Sequence, residues 1–409
     1  MQRTKGSPRN RKTSVLVLNR QLSVGGAERQ IMNLLKGFDR DIFNVVSVPF
    51  YDGGALYHEV LTLPGVQCRS LKKRGRWDVF GFLFRYFALL NELKPDIVYG
   101  FMDSPNLLAL FAKFWGAKVA WGIRGSGLEL QSYDWSQKLL TKLEIMFSWA
   151  ADAIICNSSA GAKYVQSLGF PTNKVFVVAN GIDTDKFQLN HSYRELIRES
   201  WGIDSHTTLV GLVGRLDPMK DHFTFLATVA EIIKRSHNIR FTCIGSGETQ
   251  YQNELLQYAK ILGIKNELIW APAQQDIERV YPALDVLCLS SIGEGFPNVI
   301  GEAMACGVPC VCTDVGDAAL ILNDKKRIVK IREPKELADA ILLIQEDLKS
   351  NREKIQMISR QRIVDHFSVK KMVHETSNIL IALKGPSTLP KSPDLTETLH
   401  DPDEQQPSP

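Results

Sequence analysis

The chain has 409 residues, a length that suggests two or three domains, and its 44% apolar content is that of an ordinary globular protein. The net charge of +4 conceals unequal halves: residues 1–180 hold 23 Lys and Arg against 13 Asp and Glu, a net of +10, and the remainder holds 26 against 32, or −6. No run of roughly 18 apolar residues is present, which excludes a spanning helix, and the first apolar run, Val15 to Leu18, is too short for a signal core.

Residues 1–12 are polar and basic and are expected to be disordered. A strand is predicted over 14–19, then a loop with Gly25-Gly26, then an amphipathic helix over 27–38, where Ala27, Ile31, Leu34, Leu35 and Phe38 recur at helical spacing. Strand, glycine loop and helix open a βα unit. Further strands are predicted at 45–50, 97–100, 119–122, 153–156 and 175–178, with helical patterns such as 105–115 and 137–150 between them. The turn-like Asn180-Gly181-Ile182-Asp183 and the charged stretch 190–200 form a connection. A second series of strands follows at 209–213, 240–244, 268–270, 286–290, 308–313 and 327–331. Helical patterns at 334–349, 351–364 and 369–383 have no strands between them, and the tail from 385 is rich in Pro, Ser and acidic residues.

Alternating strands and helices predict an α/β protein of two facing Rossmann-like domains, residues 13–185 and 186–366, with a deep cleft between them. A helix at 367–384 is expected to pack back on the first domain, and 385–409 to be a disordered tail. Ligands of such sheets bind beyond the carboxyl ends of the strands. The seven cysteines form no CxxC pair and sit mostly in apolar runs; they read as buried small hydrophobes in a reducing compartment.

The segment Gly293-Glu294-Gly295-Phe296-Pro297-Asn298-Val299-Ile300-Gly301-Glu302 follows an apolar strand. Two glycines permit a tight loop, Pro297 suits the first turn of a helix, and Gly307 with Pro309 stops it. A helix starting near 297 aims its amides at the cleft, where they would bind a diphosphate, with Glu302 one turn in and able to accept from a ribose. The plainer reading makes Glu294 a loop cap and Glu302 a solvated helix residue. Gly214-Arg215-Leu216-Asp217-Pro218-Met219-Lys220 follows the first strand of the second domain. Arg215 and Lys220 could face one anion and neutralise a departing diphosphate, or be two surface cations. Gly25-Gly26 would let backbone approach a phosphate, or be only a turn; a third glycine for the dinucleotide fingerprint is missing.

Together these segments resemble the retaining GT-B glycosyltransferases of family four, also called glycosyl transferases group 1. The resemblance rests on Glu294 to Glu302 with seven residues between, Gly214-Arg215-Leu216 with Lys220, Gly25-Gly26-Ala27-Glu28, and Asn180-Gly181-Ile182-Asp183, and it covers about 14–384. It implies that Glu302 binds the donor ribose and that Arg215 and Lys220 hold the diphosphate. Glu294 and the backbone from Gly295 through Phe296 and Pro297 to Asn298 would contact the transferred sugar. It implies no cofactor and no metal; the substrate would be a nucleoside-diphosphate sugar, UDP-linked ahead of GDP-linked. Many members carry a histidine where this chain has Arg124, within Val119-Ala120-Trp121-Gly122-Ile123-Arg124-Gly125-Ser126-Gly127. Arginine cannot be a general base; it could bind an acceptor phosphate, stabilise the leaving diphosphate, or pair with a nearby carboxylate.

The expected activity is transfer of a hexose or N-acetylhexosamine to a glycan or lipid-linked acceptor, in polysaccharide synthesis on the cytoplasmic side of a membrane. Lys72, Lys73, Arg74 and Arg76 precede the aromatic-rich 77–87 and could dock on anionic lipid, although such a stripe can equally be core. Nucleic acid is not expected as a partner. The rivals are a GT-B enzyme using a soluble sugar-phosphate acceptor and a non-catalytic nucleotide-sugar or glycan-binding protein.

Overall fold

The computed structural model describes residues 11–23, 25–75, 77–125 and 135–385, with side chains of 135–137 excepted. Residues 1–10, Arg76, Ser126, Gly127 and the tail beyond 385 lie outside the described residues.

In chain order the first half contains β1 (Thr13–Asn19), α1 (Gly26–Gly37), β2 (Phe43–Pro49), α2 (Tyr57–Thr62), β3 (Val66–Cys68), α3 (Val79–Leu93), β4 (Ile97–Phe101), α4 (Asp103–Ala109), β5 (Lys118–Ile123), α5 (Trp135–Phe147), β6 (Ala153–Cys156), α6 (Ser159–Ser167) and β7 (Val175–Val177). All its strands are parallel, in the order β3-β2-β1-β4-β5-β6-β7. The second half contains α7 (His191–Ser200), β8 (Thr208–Val213), α8 (His222–Ile233), β9 (Ile239–Ile244), α9 (Thr249–Ile261), β10 (Leu268–Ala271), β11 (Val286–Leu289), α10 (Asn298–Ala305), β12 (Cys310–Thr313), α11 (Ala318–Leu322) and β13 (Ile328–Val329). Its parallel sheet runs β10-β9-β8-β11-β12-β13. Two long closing helices follow, α12 (Pro334–His366), kinked at Asn351, and α13 (Val369–Ala382).

Strand runs such as Val15-Leu16-Val17-Leu18 and Val286-Leu287-Cys288-Leu289 are apolar on both faces because helices cover both sides of each sheet. Six cysteines are buried, Cys68 is half-buried, and all seven are free. The strand order reverses between β1 and β4 and again between β8 and β11, so each sheet has a switch point at which its strand-end loops diverge.

The chain crosses between the halves twice, and the crossings touch. The Ile182 N–H donates to Phe367 O at 2.8 Å and the Val369 N–H to Ile182 O at 3.1 Å. Gln30 of α1 closes a pair of bonds with the Gly181 backbone, at 2.9 and 3.1 Å. Beyond the crossing, α13 returns to the first half and buries Met372, Val373, Ile379 and Leu380 in the core that α1 lines. Each such side chain contributes about 1.5–3 kcal/mol on burial, so the return is a firm clasp.

Candidate functional site

The predicted donor loop follows β11, and α10 begins at Asn298 with Pro297 at the position before it, one residue earlier than a proline in the first turn would be. No side chain caps α10. From the other half, α1 begins at Gly26, also without a side-chain cap. The two helix starts face each other: a Cβ on Gly26 would stand 3.1 Å from Asn298 Nδ2, a tight contact. Two uncapped helix N-termini therefore converge on one space, an arrangement suited to an anion.

That space is a cleft of about 440 Å³. Every candidate donor and catalytic residue lines it: Gly25, Gly26, Arg124, Arg215, Lys220, Glu294, Gly295, Phe296, Pro297, Asn298 and Glu302. Lys220 and Glu294 form an ion pair, Nζ to Oε1 at 2.6 Å, and the Ser291 hydroxyl donates to the same oxygen at 2.7 Å. Arg215 stands apart. Its side chain is exposed at the cleft mouth, 3.7 Å from Asp217. The two cations thus share the cleft: Lys220 is held tightly by Glu294, and Arg215 is only loosely paired with Asp217 and open to solvent.

Glu302 is not a solvated helix residue. It is buried, accepts from the Tyr281 hydroxyl at 2.7 Å, and lies 3.7 Å from Arg29 Nη1 of α1. Burial pushes its carboxyl above the usual range, against the pull of Tyr281 and Arg29.

Among the described residues Arg124 has no carboxylate partner. Its guanidinium donates to Asn180 Oδ1 at 3.1 Å and to the Tyr99 hydroxyl at 3.3 Å, and it stacks 4.6 Å from the Phe101 ring. Its Nε is buried without a partner. Asn180 in turn donates to Asn298 Oδ1 at 3.0 Å. A polar chain therefore runs from Tyr99 through Arg124 and Asn180 to the first residue of α10, across the two halves.

Five lining residues were not singled out in the sequence: Arg29, Asn157, Tyr281 and, in the turn after β9, Gly245 and Ser246. Asn157 is buried, and its Oδ1 has no partner. Arg29 was within reach, because it follows Gly25-Gly26 on the helix face toward the cleft. Among the described residues no cluster of three His, Cys, Asp or Glu could hold a metal.

The basic and aromatic segment divides. Phe82, Tyr86, Leu89 and Leu90 of α3 are core, while Trp77, Phe80 and Phe84 are 90%, 89% and 74% exposed. Lys72 and Arg74 are exposed. Lys73 does not join them: its ammonium donates to Gly75 O at 2.8 Å and sits 5.2 Å from the Phe82 ring. Arg76 lies outside the described residues. Because α3 runs back from the carboxyl edge of the first sheet, Trp77 and Phe80 lie on the edge that carries the cleft. No helix among the described residues is long and apolar enough to cross a membrane.

Two facing Rossmann-like domains with an anion-suited cleft between their strand ends define a GT-B fold. Residues 24–186 match the Glycosyltransferase Family 4 model and 207–347 the Glycosyl transferases group 1 model, and the chain belongs to this glycosyltransferase family. It is 26% identical over 308 residues to an Escherichia coli UDP-Gal:alpha-D-GlcNAc-diphosphoundecaprenol alpha-1,3-galactosyltransferase, covering 73% of this chain and 78% of that one. It is 32% identical over 182 residues to a D-inositol 3-phosphate glycosyltransferase of Rhodococcus erythropolis, covering 42% of this chain and 41% of that one. Anabaena HepE in complex with UDP superposes with a TM-score of 0.78 at 20% identity, over 90% of this chain and all of that one.

Proposed function

We propose that the protein transfers a hexose or N-acetylhexosamine from a nucleoside-diphosphate sugar, UDP-linked ahead of GDP-linked, to a lipid-linked glycan acceptor, with retention of configuration, in cell-surface polysaccharide synthesis. The donor half of this reading rests on one observation: Lys220, Arg215 and the uncapped starts of α1 and α10 surround a single cleft. Positive charge and oriented amides fixed where a diphosphate departs stabilise the charge that develops on it, without reorganisation at the moment of transfer. Buried Glu302 would accept from the ribose, and Glu294 with the backbone from Gly295 to Asn298 would meet the sugar. No cofactor and no metal enter this reading. UDP in the HepE complex and the UDP-galactose in the E. coli relative's name favour uridine.

The acceptor half rests on the exposed Trp77, Phe80 and Phe84 beside Lys72 and Arg74 on the cleft-side edge. Exposed aromatics flanked by cations suit an anionic lipid interface, where rings enter the headgroup layer and cations stay above it. A soluble phosphorylated acceptor is the second reading. It is favoured by Arg124, whose described partners are all neutral and whose Nε is unpaired.

Incubation with UDP- and GDP-sugars and either a polyprenyl-diphosphate-linked N-acetylglucosamine or soluble sugar phosphates separates the two. Transfer to the lipid-linked acceptor with an anomer matching the donor by NMR is expected. Transfer to sugar phosphates alone would replace the first reading by the second.

A further inference from the structure

Asp317 occupies the position before α11, where an aspartate ordinarily caps the amides of its own helix. Here the carboxylate makes no such bond. It crosses to the other domain: Oδ2 accepts from the Ser159 N–H at 2.7 Å and Oδ1 from the Ala160 N–H at 3.0 Å, at the start of α6. The next amide of α6, from Gly161, goes to its own Ser158 hydroxyl at 2.9 Å. Asp317 is only 3% exposed. Burial raises its carboxyl pKa, while the two amides and Lys163 of α6 pull it down. All of these opposing groups belong to the first domain.

The backbone of the same residue holds the donor loop. The Asp317 N–H donates to Gly295 O at 2.9 Å. Gly316, at φ +56°, lies so close to the Glu294 and Gly295 carbonyls that a Cβ would collide with both. On its other side Gly295 faces the turn before α6, where a Cβ would stand 3.5 Å from Ser158 Oγ and 3.7 Å from Asn157 Oδ1. The loop is thus held between residues 316–317 and residues 157–158 of the opposite domain.

We propose that Asp317 is a positioning residue that couples closure of the two domains to the placement of the Gly295 loop against the donor sugar. A charged carboxylate at a helix N-terminus makes charge-assisted bonds that favour the closed arrangement. Opening withdraws the α6 amides and leaves the carboxylate without those partners, so the favourable interaction exists only when the halves meet. The same residue then fixes the Gly295 carbonyl, and closure and loop geometry become one event. The proposal rests on the reading that the donor binds beside Gly295.

The test uses the full chain with spin labels on cysteines introduced at Ser167 and Lys326, exposed sites on opposite domains. The label-to-label distance is measured by pulsed electron resonance with and without UDP, and UDP affinity is measured separately. For Asp317→Ala the distance distribution is expected to lengthen or broaden in both conditions, with UDP affinity within about threefold of the parent. Asp317→Asn, which keeps an acceptor oxygen without the charge, should fall between, and it decides the matter if the alanine variant does not fold. Turnover of whichever sugar nucleotide the parent uses should drop on the order of tenfold to a hundredfold, in kcat rather than KM. An unchanged distance distribution overturns the proposal. Failure of the parent to bind UDP would instead overturn the uridine donor reading, since the distance measurement without nucleotide still reports on Asp317.

Discussion

Lys220 Nζ sits 2.6 Å from Glu294 Oε1, so the cation proposed to meet a diphosphate is held by a carboxylate of the loop proposed to face the sugar. The two elements that carry them, the turn after β8 and the turn after β11, are adjacent strand ends of one sheet. A donor diphosphate entering between them would compete for Lys220 and release Glu294 toward the sugar. Binding and sugar recognition would then be linked through one ion pair.

From this linkage, Lys220→Ala should lower turnover by about 10²–10³, the range for losing one preorganised donor to a developing anion. Ground-state nucleotide affinity should change far less, because the interaction strengthens as the bond breaks. Arg215→Ala should act in the same direction. Steady-state kinetics beside UDP titration gives the comparison, and equal small losses in both would make these ordinary surface cations.

Glu302 should affect stability and nucleotide binding with opposite signs. A buried carboxyl whose pKa is raised holds its proton more tightly when folded, so its ionisation disfavours folding once pH exceeds the unfolded value of about 4.3. Glu302→Gln keeps an acceptor for Tyr281 and removes the buried charge. At neutral pH the unliganded variant should unfold at a temperature equal to or above the parent's, while nucleotide binding weakens by roughly 1.5–3 kcal/mol. Thermal unfolding with and without UDP reads both. Unaltered affinity for every nucleoside diphosphate would remove Glu302 from the site.

Glu144 of α5 offers a pH signature outside the cleft. Burial pushes its carboxyl up to about 8, with the charge of Asp103 adding and a 2.9 Å hydrogen bond from Asn106 opposing. Between about pH 4.3 and 8 the folded state holds a proton there that the unfolded state has lost. Stability should therefore fall as pH rises through this window, by up to about 1.4 kcal/mol per unit, and level off above it. Glu144→Gln should flatten that part of the curve in urea unfolding. A slope unchanged by the substitution would assign the effect to other groups.

The parallel α/β architecture was legible because buried strands such as Val15–Leu18 and Ala153–Cys156 are unbroken apolar runs between amphipathic helices. β3 was not: half-buried Val66 and Cys68 around an exposed Gln67, at a sheet edge, leave too short a pattern to read. Local spacing also located the glycine loop before α10 and the Arg215–Lys220 turn, which line one cleft, since glycines and cations mark them. It could not pair Lys220 with Glu294, 74 positions away, or Arg29 with Glu302, because those contacts exist only once sheets and domains are assembled. Asp317 carries no such mark in the sequence, and only the docked α6 gives its carboxylate a destination. The aromatic segment 77–87 was ambiguous because helical periodicity sorts its rings into two faces without saying that the second face stays uncovered.

That uncovered face gives the last prediction. Phe80 and Phe84 are exposed on one side of α3, with Trp77 exposed just before it, and Lys72 and Arg74 precede them on the cleft-side edge. Each cation near an anionic surface contributes about 1 kcal/mol and is screened by salt, whereas inserted rings contribute through buried apolar area that salt does not weaken. The protein should bind vesicles containing anionic lipid at low salt, bind neutral vesicles weakly, and lose part of its affinity as salt rises. Lys72→Gln with Arg74→Gln should abolish the salt-sensitive part. Trp77→Ser, Phe80→Ser and Phe84→Ser together should remove the residue that persists at high salt. Lys73→Gln should matter least, because its ammonium is already turned onto Gly75 and the Phe82 ring. UDP affinity should be unchanged in all of them, since none lines the cleft. Vesicle sedimentation across a salt series separates the two contributions. A parent protein that stays in the supernatant with anionic vesicles at low salt would move the acceptor assignment to a soluble phosphorylated sugar, with Arg124 as its phosphate ligand.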